Sequence, residues 1–94
     1  MNFGTHTKDE PDYSIERYNN GIKKLQENKP EIACKYFEES VRLNPKFIDG
    51  YYNLGLVYKK LSRLEESCEA WKTGYQLGDS EEGSLYERYC AKKE

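Results

Sequence analysis

The side chains here with the clearest chemical potential are one histidine, three cysteines and three glutamate pairs. His6 stands alone near the N-terminus, so no Ser-His-Asp or Cys-His arrangement can form around it. Cys34, Cys68 and Cys90 are odd in number and lack CxxC spacing. That pattern disfavours a disulfide framework or a zinc knuckle and fits reduced thiols in a cytoplasmic protein. The pairs Glu38-Glu39, Glu65-Glu66 and Glu81-Glu82 fall at helix starts or on helix exteriors, where solvated carboxylates are expected. Gly21, Gly55 and Gly74 lie inside helices, so no glycine-rich loop cradles a phosphate. These residues predict no catalytic group, no metal site, no cofactor and no enzyme activity.

The elements that would hold them must come from a small and polar chain. Ninety-four residues allow one domain, and hydrophobic and charged residues are nearly balanced at 36% and 34%. A net charge of −2 leaves no basic stripe for nucleic acid. No apolar run approaches the roughly 18 residues of a membrane span, and the N-terminus has no signal-peptide pattern. Nine tyrosines dominate the aromatics, and their apolar rings with polar tips suit half-buried seams and binding faces.

Displacing the sequence by about 34 residues aligns it with itself, the mark of a helical repeat. Tyr18 falls on Tyr52, Asn19 on Asn53, Gly21 on Gly55, Glu31 on Glu65, Cys34 on Cys68 and Phe37 on Trp71. Ala33 matches Ser67 and Ser40 matches Gly74. Each period reads as two helices. Ile15, Tyr18, Ile22 and Leu25 keep helical spacing in the first, and Asn28-Lys29-Pro30 closes it and opens the next. Ile32, Ala33, Tyr36, Phe37, Ser40, Val41 and Leu43 follow, to a stop at Asn44-Pro45. In the second unit Tyr51, Leu54, Gly55 and Tyr58 form one face. Ser62-Arg63-Leu64-Glu65 reads as a capping box, and Leu64, Cys68, Trp71 and Tyr75 as a buried face ending at Gly78. A last helix opens on Asp79-Ser80-Glu81-Glu82 and presents Leu85, Tyr86, Tyr89 and Cys90. Tyr86 falls one further period beyond Tyr52, so this helix is half of a third repeat. The expected segments are a disordered tail at 1–11, repeats at 12–47 and 48–79, and a capping helix at 80–94.

These residues resemble the tetratricopeptide repeat family. The second unit supplies Tyr51, Leu54, Gly55, Tyr58, Ser67, Trp71 and Gly74, with Asp79 where proline is usual. The first supplies Gly21, Ala33, Phe37, Ser40 and Pro45, but has Arg17, Asn20 and Lys24 where Trp, Leu and Tyr are typical. Those departures suit an outermost helix facing solvent. Cys34 and Cys68 take equivalent buried positions in helices roughly 8–10 Å apart, too far for a bridge, and read as small core residues. The resemblance implies an all-α, right-handed α-solenoid of two helix-turn-helix repeats plus a C-terminal capping helix.

It also implies a groove lined by the first helix of each repeat. Ile15, Tyr18, Asn19, Ile22 and Gln26 would come from the first repeat, and Asp49, Tyr52, Asn53, Leu56 and Lys60 from the second. Tyr86 and Glu87 would complete it, with Cys90 the one thiol able to reach it. Tyr18, Tyr52 and Tyr86 would form a ladder, and Asn19 and Asn53 would hold a peptide backbone. Of the family's carboxylate clamp for chaperone tails only Asn53 remains. Tyr18, Ile22, Gly83 and Glu87 stand elsewhere and supply no cation, so a chaperone tail is not the expected ligand. The expectation is a protein-binding adaptor or scaffold that takes a peptide or helix segment of another protein, without nucleic acid or membrane. The second reading is a homodimer or assembly subunit associating through the C-terminal face.

Overall fold

The computed structural model describes residues 12–91, a run of five helices. They are α1 (Tyr13–Gln26), α2 (Pro30–Leu43), α3 (Ile48–Lys60), α4 (Leu64–Gln76) and α5 (Ser80–Tyr89). Each packs mainly on its sequence neighbours, giving an elongated body 51 × 30 × 17 Å. Among the described residues no helix is long and apolar enough to cross a membrane. The tail expected over 1–11 and the last three residues of the capping segment lie outside the described residues.

The repeat is visible in how the helices stop. Asn28 and Ser62, one period apart, take the left-handed conformation at φ 61° and 64°. At the first stop the Asn28 and Lys29 amides donate to the carbonyls of Leu25 and Lys24. At the second, Ser62 and Arg63 donate to Lys59 and Tyr58. Gly78, at φ 113°, closes α4 in the same way, with its own amide and that of Asp79 on Tyr75 and Gly74. Ser62 is thus the end of α3 and not the cap of α4. Helix α4 begins after Arg63 with no side-chain cap, which corrects the expected capping box. Asp12 and Asp79 do cap, their carboxylates accepting from the Ser14 and Glu81 amides at 3.0 Å.

Two ring-on-glycine contacts set the spacing of the pairs. A Cβ on Gly21 would lie 2.7 Å from the Phe37 ring, and one on Gly55 would overlap Trp71 Nε1. Phe37 and Trp71 are fully buried. The small residues expected to allow close approach also bond: Ser40 Oγ donates to the Ser14 carbonyl and Ser67 Oγ to the Gly55 carbonyl, each at 2.8 Å. Ala33, Cys34, Leu54, Val57, Tyr58 and Ala70 complete the core, and Tyr18, Ile22, Leu25, Val41, Tyr51 and Leu61 pack against it.

Several side chains expected inside are outside. Ile32, Leu43, Leu64 and Tyr75 are exposed, and so is Ile15, expected to line the groove. Glycines and small residues occupy the closest helix seams, so large side chains one position off the seam are displaced to its margins. Arg17, Asn20 and Lys24 are half-buried and not fully solvated. In α5 the buried residues are Glu82 and Gly83, because that helix turns its first turn onto α4. A Cβ on Gly83 would meet the Tyr75 ring at 2.5 Å, and one on Gly74 would overlap the Glu82 carboxyl.

The expectation that all three thiols stay reduced is overturned for two of them. Cys68 and Cys90 form a disulfide with a Cα–Cα distance of 5.8 Å, and Cys34 alone is free. Cys90 directly follows α5, and the antiparallel docking of α5 on α4 brings it onto Cys68. Two positions without a sequence repeat between them gave no sign of that contact.

The glycine constraint has a measurable cost. Alanine normally favours a helix over glycine by about 1 kcal/mol. Overpacking at the Trp71 ring, at the upper end of the usual range of about 1–3 kcal/mol, outweighs that, so Gly55→Ala should lower unfolding free energy by roughly 1–2 kcal/mol net. A fall in the urea midpoint at unchanged slope is the expected reading.

Candidate functional site

The face made by α1, α3 and α5 starts from one bond. Asn53 Nδ2 on α3 donates to the Tyr18 hydroxyl on α1 at 2.8 Å and also to the Asp49 carbonyl at 3.3 Å. Both amide hydrogens of Asn53 are therefore spent inside the protein, and only its oxygen is left to meet a ligand. Tyr18 is half-buried, its ring 5.6 Å from Phe37 and 5.1 Å from Phe47. Burial first, and the Asp49 carboxylate second, raise its phenol above the ordinary value. Tyr18, Asp49 and Asn53 thus form one connected group that fixes α1 beside α3.

The other expected residues divide by exposure. Asn19 and Gln26 on α1, and Leu56 and Lys60 on α3, are exposed, as is Glu87 on α5. Ile22 is half-buried and packs on the core. Tyr52 is half-buried, and its carbonyl accepts weakly from Trp71 Nε1 at 3.4 Å. Tyr86 lines a cleft of about 630 Å³ between α4 and α5, together with Leu64, Cys68, Lys72, Tyr89 and Cys90. Cys90, the thiol expected at the groove, is held in the disulfide on this cleft.

A second cluster had no counterpart in the sequence reading. Glu38 on α2 accepts from the Tyr58 hydroxyl on α3 at 2.6 Å. The Arg63 guanidinium lies 4.8 Å over the Tyr58 ring and donates twice to Glu66 at 2.7 Å. Glu38 is therefore a tie between the repeats as well as a partly solvated carboxylate, its side chain 41% exposed. The cluster's only early signal is that Glu38, Tyr58 and Arg63 all fall at helix positions bordering the seam.

Glu82 is the other departure. It is fully buried, and neither carboxylate oxygen has a hydrogen-bond partner among the described residues. Burial raises its pKa to about 8, and the charges of Asp79, Asp49 and Glu81 act in the same direction. The Asp49 charge thus acts on both the Tyr18 phenol and the Glu82 carboxyl at the start of α5.

Known proteins resemble this chain in sequence and in fold. The sequence model for the tetratricopeptide repeat matches residues 36–69. A UDP-N-acetylglucosamine–peptide N-acetylglucosaminyltransferase of Giardia intestinalis is 40% identical over 57 residues, which are 58% of this chain and 4% of that enzyme. An uncharacterized protein of Methanocaldococcus jannaschii is 32% identical over 57 residues, 61% of this chain and 66% of that protein. The chain spans less than two thirds of either relative. In fold, it is similar to the crystal structure of a tetratricopeptide repeat domain protein from Salinibacter ruber. The TM-score is 0.75 at 23% identity, over 85% of this chain and 98% of that one. A solution structure of such a domain from the same organism gives 0.78 at 22%, over 90% and 94%.

The buried carboxyl makes stability depend on pH. Glu82 keeps its proton in the folded chain up to about pH 8, whereas in the unfolded chain it ionises near the ordinary glutamate value of 4.5. Between those values the folded state holds more protons, so this group lowers stability as pH rises, by at most about 1.4 kcal/mol per unit. Glu82→Gln should flatten that part of the stability profile, measured by urea unfolding from pH 5 to pH 8.5.

Proposed function

We propose that this chain, a tetratricopeptide repeat protein, is a non-catalytic adaptor or scaffold that binds a peptide or helix of a partner protein across α1, α3 and α5. Its family works generally through protein–protein interaction, and the finer assignment rests on the Tyr18–Asn53 bond. That bond locks two first helices side by side, so the face is organised before a partner arrives.

The residues with free surface then do the binding. Leu56 offers an exposed apolar contact, and Asn19, Gln26 and Lys60 on the same two helices supply exposed donors and acceptors. Asn53 adds an acceptor suited to a backbone amide, while Tyr18 and Asp49 hold it in place. Tyr52 and Ile22 contribute half-buried apolar edges. The mixture suits an amphipathic helix or an extended segment better than a terminal carboxylate, since Tyr18, Ile22, Gly83 and Glu87 supply none of the cations such a clamp uses. Tyr86 and Glu87 extend the face onto α5.

A second reading is favoured by the C-terminal end, where Leu64 and Tyr89 are exposed beside the α4–α5 cleft. Tyr89 stands one period beyond Gly21 and Gly55, where a further helix would need glycine for its aromatic residue. Stacking of a second copy in the repeat's own geometry is therefore blocked, and self-association would need another arrangement.

Two measurements separate these readings. Leu56→Asp with Asn19→Ala should weaken a partner recovered by affinity capture at least about tenfold, with helical content retained, whereas Ile32→Ala on α2 should not. Equal retention by the double variant would remove the groove reading. Light scattering after gel filtration should give a monomer mass at high concentration; a dimer abolished by Tyr89→Ser would favour the C-terminal face.

A further inference from the structure

We propose that Cys68 and Cys90 form a thiol–disulfide exchange site whose redox state decides whether α5 remains docked on α4. Helix α5 has ten residues and buries only Glu82 and Gly83. Isolated helices below roughly 12–15 residues are marginal in water, so α5 depends on what holds it. At its start, Glu82 sits on Gly74 and the Tyr75 ring sits on Gly83. At its end, besides the disulfide, Tyr89 makes a tilted ring pair with Trp71 at 5.8 Å and carries the exposed Lys59 ammonium 4.7 Å over its ring. The disulfide closes that end across 22 residues of chain.

The bond is open to a reagent. Both cysteines are half-buried and line the cleft of about 630 Å³, with Lys72, Glu69 and Tyr86 around them. A thiolate of a dithiol reductant can enter and attack one sulfur. The Cys68–Cys90 bond breaks, a mixed disulfide forms, and the released sulfur takes a proton. The reductant's second thiolate then displaces the remaining cysteine, which is protonated in turn. Two electrons pass to the protein, leaving two cysteine thiols and an oxidised, cyclic dithiol. The reverse exchange with the oxidised dithiol restores the bond.

The third cysteine does not interfere. Cys34 is buried, and desolvation first, then the Glu38 carboxylate, push its thiol up to about 11. It stays protonated and unreactive at neutral pH, so the exchange is confined to one pair.

The test uses the full chain purified without reductant. Denatured and alkylated, it should take one adduct, rising to three after dithiothreitol. In the native chain, dithiothreitol should lower amide-exchange protection across 82–90 at least about tenfold while α1 to α3 keep theirs. Cys90→Ser should exchange like the reduced chain with or without dithiothreitol. Three adducts before reduction would overturn the site; unchanged protection in α5, or equal loosening of every helix, would overturn the latch. Loss of α5 also carries away Tyr86 and Glu87. That consequence rests on the groove reading, whereas the alkylation and exchange measurements do not.

Discussion

Two glycines with no room for a methyl group determine how close the helices of each pair can come. Phe37 lies against Gly21 and Trp71 against Gly55, with both rings fully buried. The separation chosen by those contacts brings the Ser40 and Ser67 hydroxyls within bonding distance of backbone carbonyls on the facing helix. A buried hydroxyl with a partner costs little, whereas one held an ångström too far would carry its full desolvation penalty. The aromatic-on-glycine contact therefore governs both the apolar packing and the polar satisfaction of the core.

Joining one pair to the next relies on different chemistry. Across α2 and α3 the tie is Glu38 with Tyr58, covered by the Arg63 guanidinium. Across α1 and α3 it is Asn53 with Tyr18. These are single side-chain bonds at half-buried sites, each worth on the order of 1 kcal/mol, so their main effect is to fix register. The binding face inherits that register: some of its best polar groups are used to build it, and the exposed neighbours Asn19, Leu56 and Lys60 are left for a partner.

The stack changes character at α5. Tyr89 replaces the glycine of earlier repeats and packs its own ring near Trp71, where a following helix would have to insert. The repeated contact is replaced by a covalent one between Cys68 and Cys90, and by a carboxyl group sealed on Gly74. A helix that buries little apolar surface is thereby held at both ends. Both ties respond to solution chemistry in a way that the apolar core does not.

By itself the sequence determined the helix count, the period and the ends of α1, α2 and α4, because those depend on local rules that each segment obeys alone. Proline opens α2, Asn28 and Gly78 end α1 and α4, and glycine recurs opposite an aromatic residue, whereas the left-handed stop of α3 at Ser62 reads in the sequence as a helix start. It also placed Tyr18, Asn53 and Leu56 on first helices, since spacing alone assigns a face. Only the tertiary structure decided which of those side chains are spent inward. Asn53 and Tyr18 find each other across 35 positions, and Glu82 is buried although the adjacent Glu81 is exposed. Cys90 meets Cys68 because α5 folds back antiparallel. Such pairings depend on where two separate helices cross, to within an ångström, and a pattern read along one helix carries no record of that crossing.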